Sequence, residues 1–251
     1  MPTPSRRALS ISLAAVAVLT AAGCAKATVV AAPWGEPIDA LNAAAEALED
    51  GVAFSGSNRA DGMTLETNGE DNPSAEELRL YQEAYTNNTE VAAEYRLVGD
   101  ELWMRISGLG GDGDWGHFTE PLMVATMSES VVGPSVWIPE LFEQITSVER
   151  TGERKFGGVL DLTEADPEKT GIDQSVMRDL PDEAEECVFS VRLNADGSLD
   201  SFTVEVENTD NGDLTVGYTF REHGAPPAVT EPDGKIVEVT ADNAMEWLSG
   251  T

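Results

Sequence analysis

Residues 187–224 read CVFSVRLNADGSLDSFTVEVENTDNGDLTVGYTFREHG, and this stretch decides the fold class. Phe189, Val191 and Leu193 fall on one side of an extended chain, as do Phe202, Val204 and Val206, and again Leu214, Val216, Tyr218 and Phe220. Ser190, Arg192, Thr203, Glu205, Glu207, Thr215, Thr219 and Arg221 stand opposite them. A period of two with turn residues at NADG and TDNGD predicts a three-stranded antiparallel meander, apolar on one face and wet on the other.

Working outward, VAFSGS (52–57), GMTLETNG (62–69), EYRLVGDELWMRISG (94–108) and KFGGVLDLT (155–163) show the same alternation between Gly, Asn and Asp breaks, and predict further strands. Residues 71–88, DNPSAEELRLYQEAYTNN, carry two signals. Ser74 with Glu77 makes a capping box, and Leu78, Tyr81 and Tyr85 have helical spacing. Leu78, Leu80 and the Asn87-Asn88 turn suit a hairpin strand, and the strands on both sides favour that reading.

Helices are predicted at three places. Residues 36–50, EPIDALNAAAEALED, place Ile38, Leu41, Ala45 and Leu48 on one stripe between Pro37 and Gly51. Residues 119–148 carry Leu122, Met123, Met127, Val136, Trp137, Ile138, Leu141, Phe142 and Ile145, broken by Gly133-Pro134 and Pro139, and predict two short apolar helices about a break. Methionine and aromatic residues together suit either a capped core or an adaptable apolar pocket. TADNAMEWLSG near the end predicts a last short helix.

The first residues have a different role. Arg6 and Arg7 precede the apolar run Ala8 to Leu19, which is shorter than the roughly 20 residues a membrane-spanning helix needs. Small residues Ala21, Ala22 and Gly23 then lead to Cys24. This is the layout of a secretory signal, and its end resembles the lipobox of a bacterial lipoprotein, with Ala21 where Leu or Val is usual. Residues 1–23 are therefore expected to be a signal peptide, 24–35 a lipidated tether and 36–251 the folded domain. Ser5-Arg6-Arg7 also resembles a twin-arginine signal, so the export route stays open. A lipid on Cys24 leaves Cys187 without a disulfide partner, and its place in the meander predicts a buried thiol.

The chain of 251 residues has a net charge of −31, made more negative by loss of Arg6 and Arg7. Such a surface repels nucleic acid and anionic lipid, so attachment to a membrane falls to the acyl group on Cys24. His117 and His223 are the only histidines, each read as lying in a Gly-containing loop, and no zinc or other metal site is predicted. No G-x-S-x-G, S-x-x-K, H-E-x-x-H or C-x-x-C occurs, so no catalytic residue, cofactor or enzymatic activity is expected. GLGGDGDWG (108–116) has no helix after it to hold a phosphate, and Asp112 and Asp114 lack the later ligands of a calcium loop.

EYRLVGDELWMRI (94–106) with Trp115 downstream, VERTGERKFGGVLDLTEA (148–165) and the stretch from Leu193 to Asp233 together resemble the actinobacterial lipoproteins of the LppX/LprG type, relatives of the LolA and LolB lipid carriers. The resemblance implies an α+β fold: a strongly curved antiparallel sheet, an incomplete barrel, with helices covering its concave apolar face. It also implies a space between sheet and helices that holds acyl chains of a lipid or lipoglycan at the extracytoplasmic face of the cell membrane. The residues then expected to line it are Leu102, Met104, Ile106, Met127, Trp137, Leu141 and Phe142, with Phe189, Val191, Phe202, Val204, Val216, Tyr218 and Phe220 of the meander. The competing expectation is an acidic module with a filled core that binds an envelope protein partner.

Overall fold

In a computed structural model, residues 35–60, 63–86, 89–108, 113–128, 131–172, 177, 182–209 and 212–249 are described. All belong to one compact unit, Ala32–Thr251. Cys24, the signal, the tether up to residue 34, and the Asn87-Asn88 turn lie outside them, as do residues 109–112 of the glycine-rich loop.

The meander forms as the alternation predicts. Cys187–Leu193 (β9), Leu199–Thr209 (β10) and Gly212–Arg221 (β11) pair antiparallel, with Phe202 between Val191 and Tyr218 and Val204 between Phe189 and Val216. β9 alternates buried and exposed along its whole length. Cys187 is buried, and burial pushes its thiol up to about 11, so it is inert at neutral pH.

β11 then pairs with Val52–Ala60 (β1), joining the end of the chain to its beginning. Beyond β1 follow Met63–Asn72 (β2), Glu77–Thr86 (β3), Thr89–Val98 (β4), Glu101–Ser107 (β5) and Trp115–Phe118 (β6), each antiparallel to the one before. On the other side of the meander lie Lys155–Leu160 (β8) and Ile145–Gly152 (β7). The ambiguous stretch after residue 72 is one 3-10 turn and then β3, because β2 and β4 supply partners on both of its edges.

The last strand, Ile236–Val239 (β12), corrects the expectation of a wholly antiparallel sheet. It runs parallel to β6, so the sheet of 12 strands is mixed and open, with β12 and β7 at its edges. His117 is a further correction. It belongs to β6 rather than to a loop.

Among the described residues four short helices join the sheet in this α+β fold: Pro37–Glu46 (α1), Pro121–Ser128 (α2), Pro134–Glu143 (α3) and Ala244–Ser249 (α4). α1 buries Leu41 with Ala40, Ala44 and Ala45, the small alanines let it approach α3 closely, and Leu48 follows in a 3-10 turn. α3 continues through Pro139, where a break was expected, and Ile145 starts β7 instead of ending a helix. A proline inside a helix costs about 3 kcal/mol. Burial of Ile138, Leu141 and Phe142 offsets it at roughly 1.5–3 kcal/mol each.

The packed interior has two parts. The larger joins α1, α3, the meander and β8, and the smaller holds Leu102, Met104, Phe118, Val124 and Val239. Tyr95 and Leu97 of β4 are half-buried and touch both.

Candidate functional site

Across the inner face the strands are in register, so side chains form rows. One row runs Phe54, Gly69, Leu80, Tyr95, Met104. The next runs Tyr218, Gly56, Thr67, Gln82, Ala93, Ile106. Trp137 of α3 lies at the junction, its ring 4.1 Å from Tyr218 and 6.0 Å from Phe54. Gly56 faces the Tyr218 ring so closely that no Cβ fits there.

A pocket of about 360 Å³ opens where the two rows meet. β2 and β3 form its floor through Leu65, Thr67, Leu80 and Gln82, with Phe54 and Tyr95 on either side. Trp137 and Val132 wall it from the α3 side, Tyr218 from the meander, and Pro167, Glu168, Gly171 and Ile172 from a loop. Its size is at the small end of ligand sites, which span roughly 300–1,000 Å³.

Polar bonds hold the loop in place. Asn58, buried on β1, donates to the Gly171 carbonyl at 3.3 Å, and the Tyr218 hydroxyl lies 3.0 Å from that carbonyl and 3.2 Å from Asn58 Oδ1. Gly171 has φ +65° and carries its Cα against the Trp137 ring, so a side chain there is both strained and crowded. Burial pushes the Tyr218 phenol well above its usual range, outweighing its hydrogen-bonded contact with Asn58. Burial also raises Tyr95. Both phenols are therefore neutral at physiological pH.

α3 is fastened to the sheet by Asp71 of β2, whose Oδ2 accepts from the Ser135 amide at 2.9 Å in the first turn of the helix. Burial raises its carboxyl above the ordinary aspartate value, although the bonds from Ser135 pull the other way. A raised native value means that the ionised form costs stability as pH climbs through it. Asp71→Asn, which keeps the acceptor and removes the charge, is therefore expected to match or exceed the wild type in urea denaturation at pH 7. Asp71→Ala should be less stable by about 1–2 kcal/mol.

Of the residues expected to line a cavity, Trp137 and Tyr218 do line this one. Leu141, Phe142, Phe189, Val191, Phe202, Val204, Val216 and Phe220 are buried against one another in the larger core. Leu102 and Met104 are in the smaller core with Ile106 packed at its margin, and the side chain of Met127 lies outside the described part of α2. Leu65, Thr67, Gln82, Tyr95 and the 167–172 loop were not expected to line a site. The available signal was on β3, where inward positions change from Leu78 and Leu80 to Gln82 and Ala84.

The outer face carries a second cluster. Glu94, only 5% exposed, accepts from Arg79, Arg96 and Arg105 at 2.8 to 3.2 Å, and Arg79 also pairs with Glu70. Arg96 and Arg105 lie 5.0 and 4.7 Å from the centre of the Trp115 ring. Burial alone would raise the Glu94 carboxyl, but the arginines outweigh it and hold it below its usual range. Shared between Glu94, Glu70 and the Trp115 ring, the arginines brace β2 to β6.

Next to it, His117 stacks on Trp103 at 4.7 Å and is held by Glu238 of β12 at 2.8 Å and Glu101 of β5 at 3.1 Å. Burial lowers its basicity, yet the two carboxylates prevail and raise it above the ordinary imidazole value. The proton thus stabilises the native state below about pH 6.5, and that contribution is lost as pH rises through the higher native value. Both carboxylates are largely exposed, so the effect should stay below about 1 kcal/mol. Amide exchange in β12, corrected for intrinsic rates, is expected to be better protected at pH 6 than at pH 9 in the wild type, with a smaller difference in His117→Gln.

No group of three or more His, Cys, Asp or Glu side chains among the described residues is placed to hold a metal ion, and no described helix is long and apolar enough to cross a membrane. No protein family and no curated protein matches the chain. Among solved structures, a hypothetical protein from Chlamydia trachomatis is similar at a TM-score of 0.28 and 7% identity, over 72% of this chain and 93% of that one. That likeness is too slight to bear on fold or function.

Proposed function

We propose that this chain is a lipoprotein anchored through Cys24 at the extracytoplasmic face of a membrane, where it holds an acyl chain of a lipid or lipoglycan. The observation that carries the reading is the pocket between the inner sheet face and Trp137, where Phe54, Leu65, Leu80, Val132 and Ile172 present apolar surface beside polar groups. Curvature of the sheet into an incomplete barrel, with its concave side covered by helices, belongs to the same proposal and follows the LppX/LprG resemblance. The acyl chain itself is held by burial, at about 25 cal/mol per Å² of apolar surface removed from water. No bond is made or broken.

Native mass spectrometry of protein purified from its host membrane tests anchor and cargo together. The expected mass begins at Cys24 with acyl groups attached, and gentle conditions retain one further, non-covalent lipid. A mature chain with an unmodified Cys24 overturns the anchor, and a protein that never carries lipid overturns the cargo.

A second reading is favoured by the density of the larger core, where Phe202, Val204 and Val216 have no exposed surface. In that case the chain is an acidic module whose partner is an envelope protein. Salt-sensitive capture of one specific envelope protein, by a protein free of lipid, supports it.

A further inference from the structure

The floor of the pocket holds a pair of polar side chains that the protein itself does not use. Thr67 and Gln82 face each other directly across β2 and β3 and both line the cavity. Thr67 is 6% exposed, and among the described residues neither side chain makes a hydrogen bond within the protein. Their polar atoms are open to the cavity and have no partner among the described residues, so a hydroxyl beside an amide is free there to bind a polar group of a ligand. The Asn58, Tyr218 and Gly171 group nearby differs, because its members satisfy one another.

Charge narrows the class. Among the described lining residues Glu168 is the one acidic or basic side chain, and it stands at an exposed position on the loop. Lys169, next to it, is engaged by Asp166 at 3.0 Å. An anionic head would therefore lose its water without gaining a cation, in a protein of net charge −31. Volume narrows it further. A cavity of about 360 Å³ has room for about a dozen water-sized groups at ~30 Å³ each, and a methylene is of similar size. One alkyl chain fills it and two do not.

Resting on the acyl-binding reading above, we propose that the pocket selects a single-chain amphiphile whose uncharged polar group, an ester, amide or hydroxyl, is bound by Thr67 and Gln82. Thr67 offers a donor and an acceptor, and Gln82 offers both through its amide. Together they read one carbonyl and one hydroxyl of the ligand at the point where its chain enters the apolar floor.

The test titrates the delipidated full chain with three decyl probes, each below its micelle concentration: monodecanoylglycerol, decyltrimethylammonium and decanesulfonate. Tryptophan fluorescence reports binding, and a Trp137→Phe control assigns the signal. The expected order places monodecanoylglycerol at least about tenfold tighter than decanesulfonate. Thr67→Val with Gln82→Leu should weaken monodecanoylglycerol about tenfold and leave decyltrimethylammonium unchanged. Circular dichroism checks that the double variant is folded, and Thr67→Ser, which retains the hydroxyl, should bind as the wild type does.

Equal binding of the ester and the sulfonate overturns the specificity, as does a folded double variant with unchanged ester affinity. Acyl binding survives both of those results. Failure of all three probes to bind the folded wild type overturns the acyl-binding reading itself, and the specificity with it.

Discussion

Val204→Asp is expected to remove much of the domain's stability at 25 °C. Val204 has no exposed surface and is flanked across the strands by Phe189 and Val216 in the centre of the meander. A carboxylate there has no cation within the apolar layer, so the cost exceeds about 4–5 kcal/mol, set against a total stability of roughly 5–15 kcal/mol for a domain. Thr203→Asp, one residue earlier on the wet face, should change stability by no more than about 0.5 kcal/mol. Circular dichroism and urea denaturation of the two variants check the contrast. If Val204→Asp folds normally and only lipid uptake fails, the meander borders a cavity large enough to wet the new carboxylate, and its description as solid core is wrong.

That contrast of adjacent positions shows what a linear sequence makes legible. In β9 to β11 apolar residues recur at alternate positions over three consecutive strands that only a few residues separate in sequence, so local pattern and global pairing agree. α1 is legible for the same reason, since its stripe and its boundary residues point to one helix. β3 is different. Its capping box and its alternation compete, and only pairing with β2 and β4 decides between them. β12 has four residues and a partner more than a hundred positions earlier in the chain, which no local period announces.

The candidate site was hard to read for a related reason. Large apolar residues suggest a binding surface, but in Phe202, Val204 and Phe220 they fill the interior. Space is found where the inward pattern weakens, at Thr67, Gln82 and Ala84, and the loop that walls it is joined to the sheet by Asn58 and Tyr218. A polar residue at an inward strand position reads, in one dimension, as a flaw in the alternation. Only the register of neighbouring strands shows that two such residues face each other beneath Trp137.

Trp137→Ala should have the second large effect, and its two readouts separate stability from binding. The ring is 2% exposed and packs against Phe54, Tyr218 and Phe220, so its loss is expected to cost about 3–5 kcal/mol. At roughly 2–4 °C per kcal/mol for a domain of this size, the melting temperature falls by about 10 °C. Trp137→Phe, which keeps an aromatic ring against Tyr218, should lose less than half of that. Because the indole is also a wall of the pocket, its removal adds free volume to the ligand space, with only the smaller Val132 left on the α3 side. The alkyl chain length bound most tightly should therefore increase in the alanine variant, measured by calorimetry with a series of monoacylglycerols well below the melting temperature. A variant that melts earlier but keeps the wild-type chain-length preference would place the alkyl chain elsewhere on the protein, because the wall between core and cavity is then no part of its site.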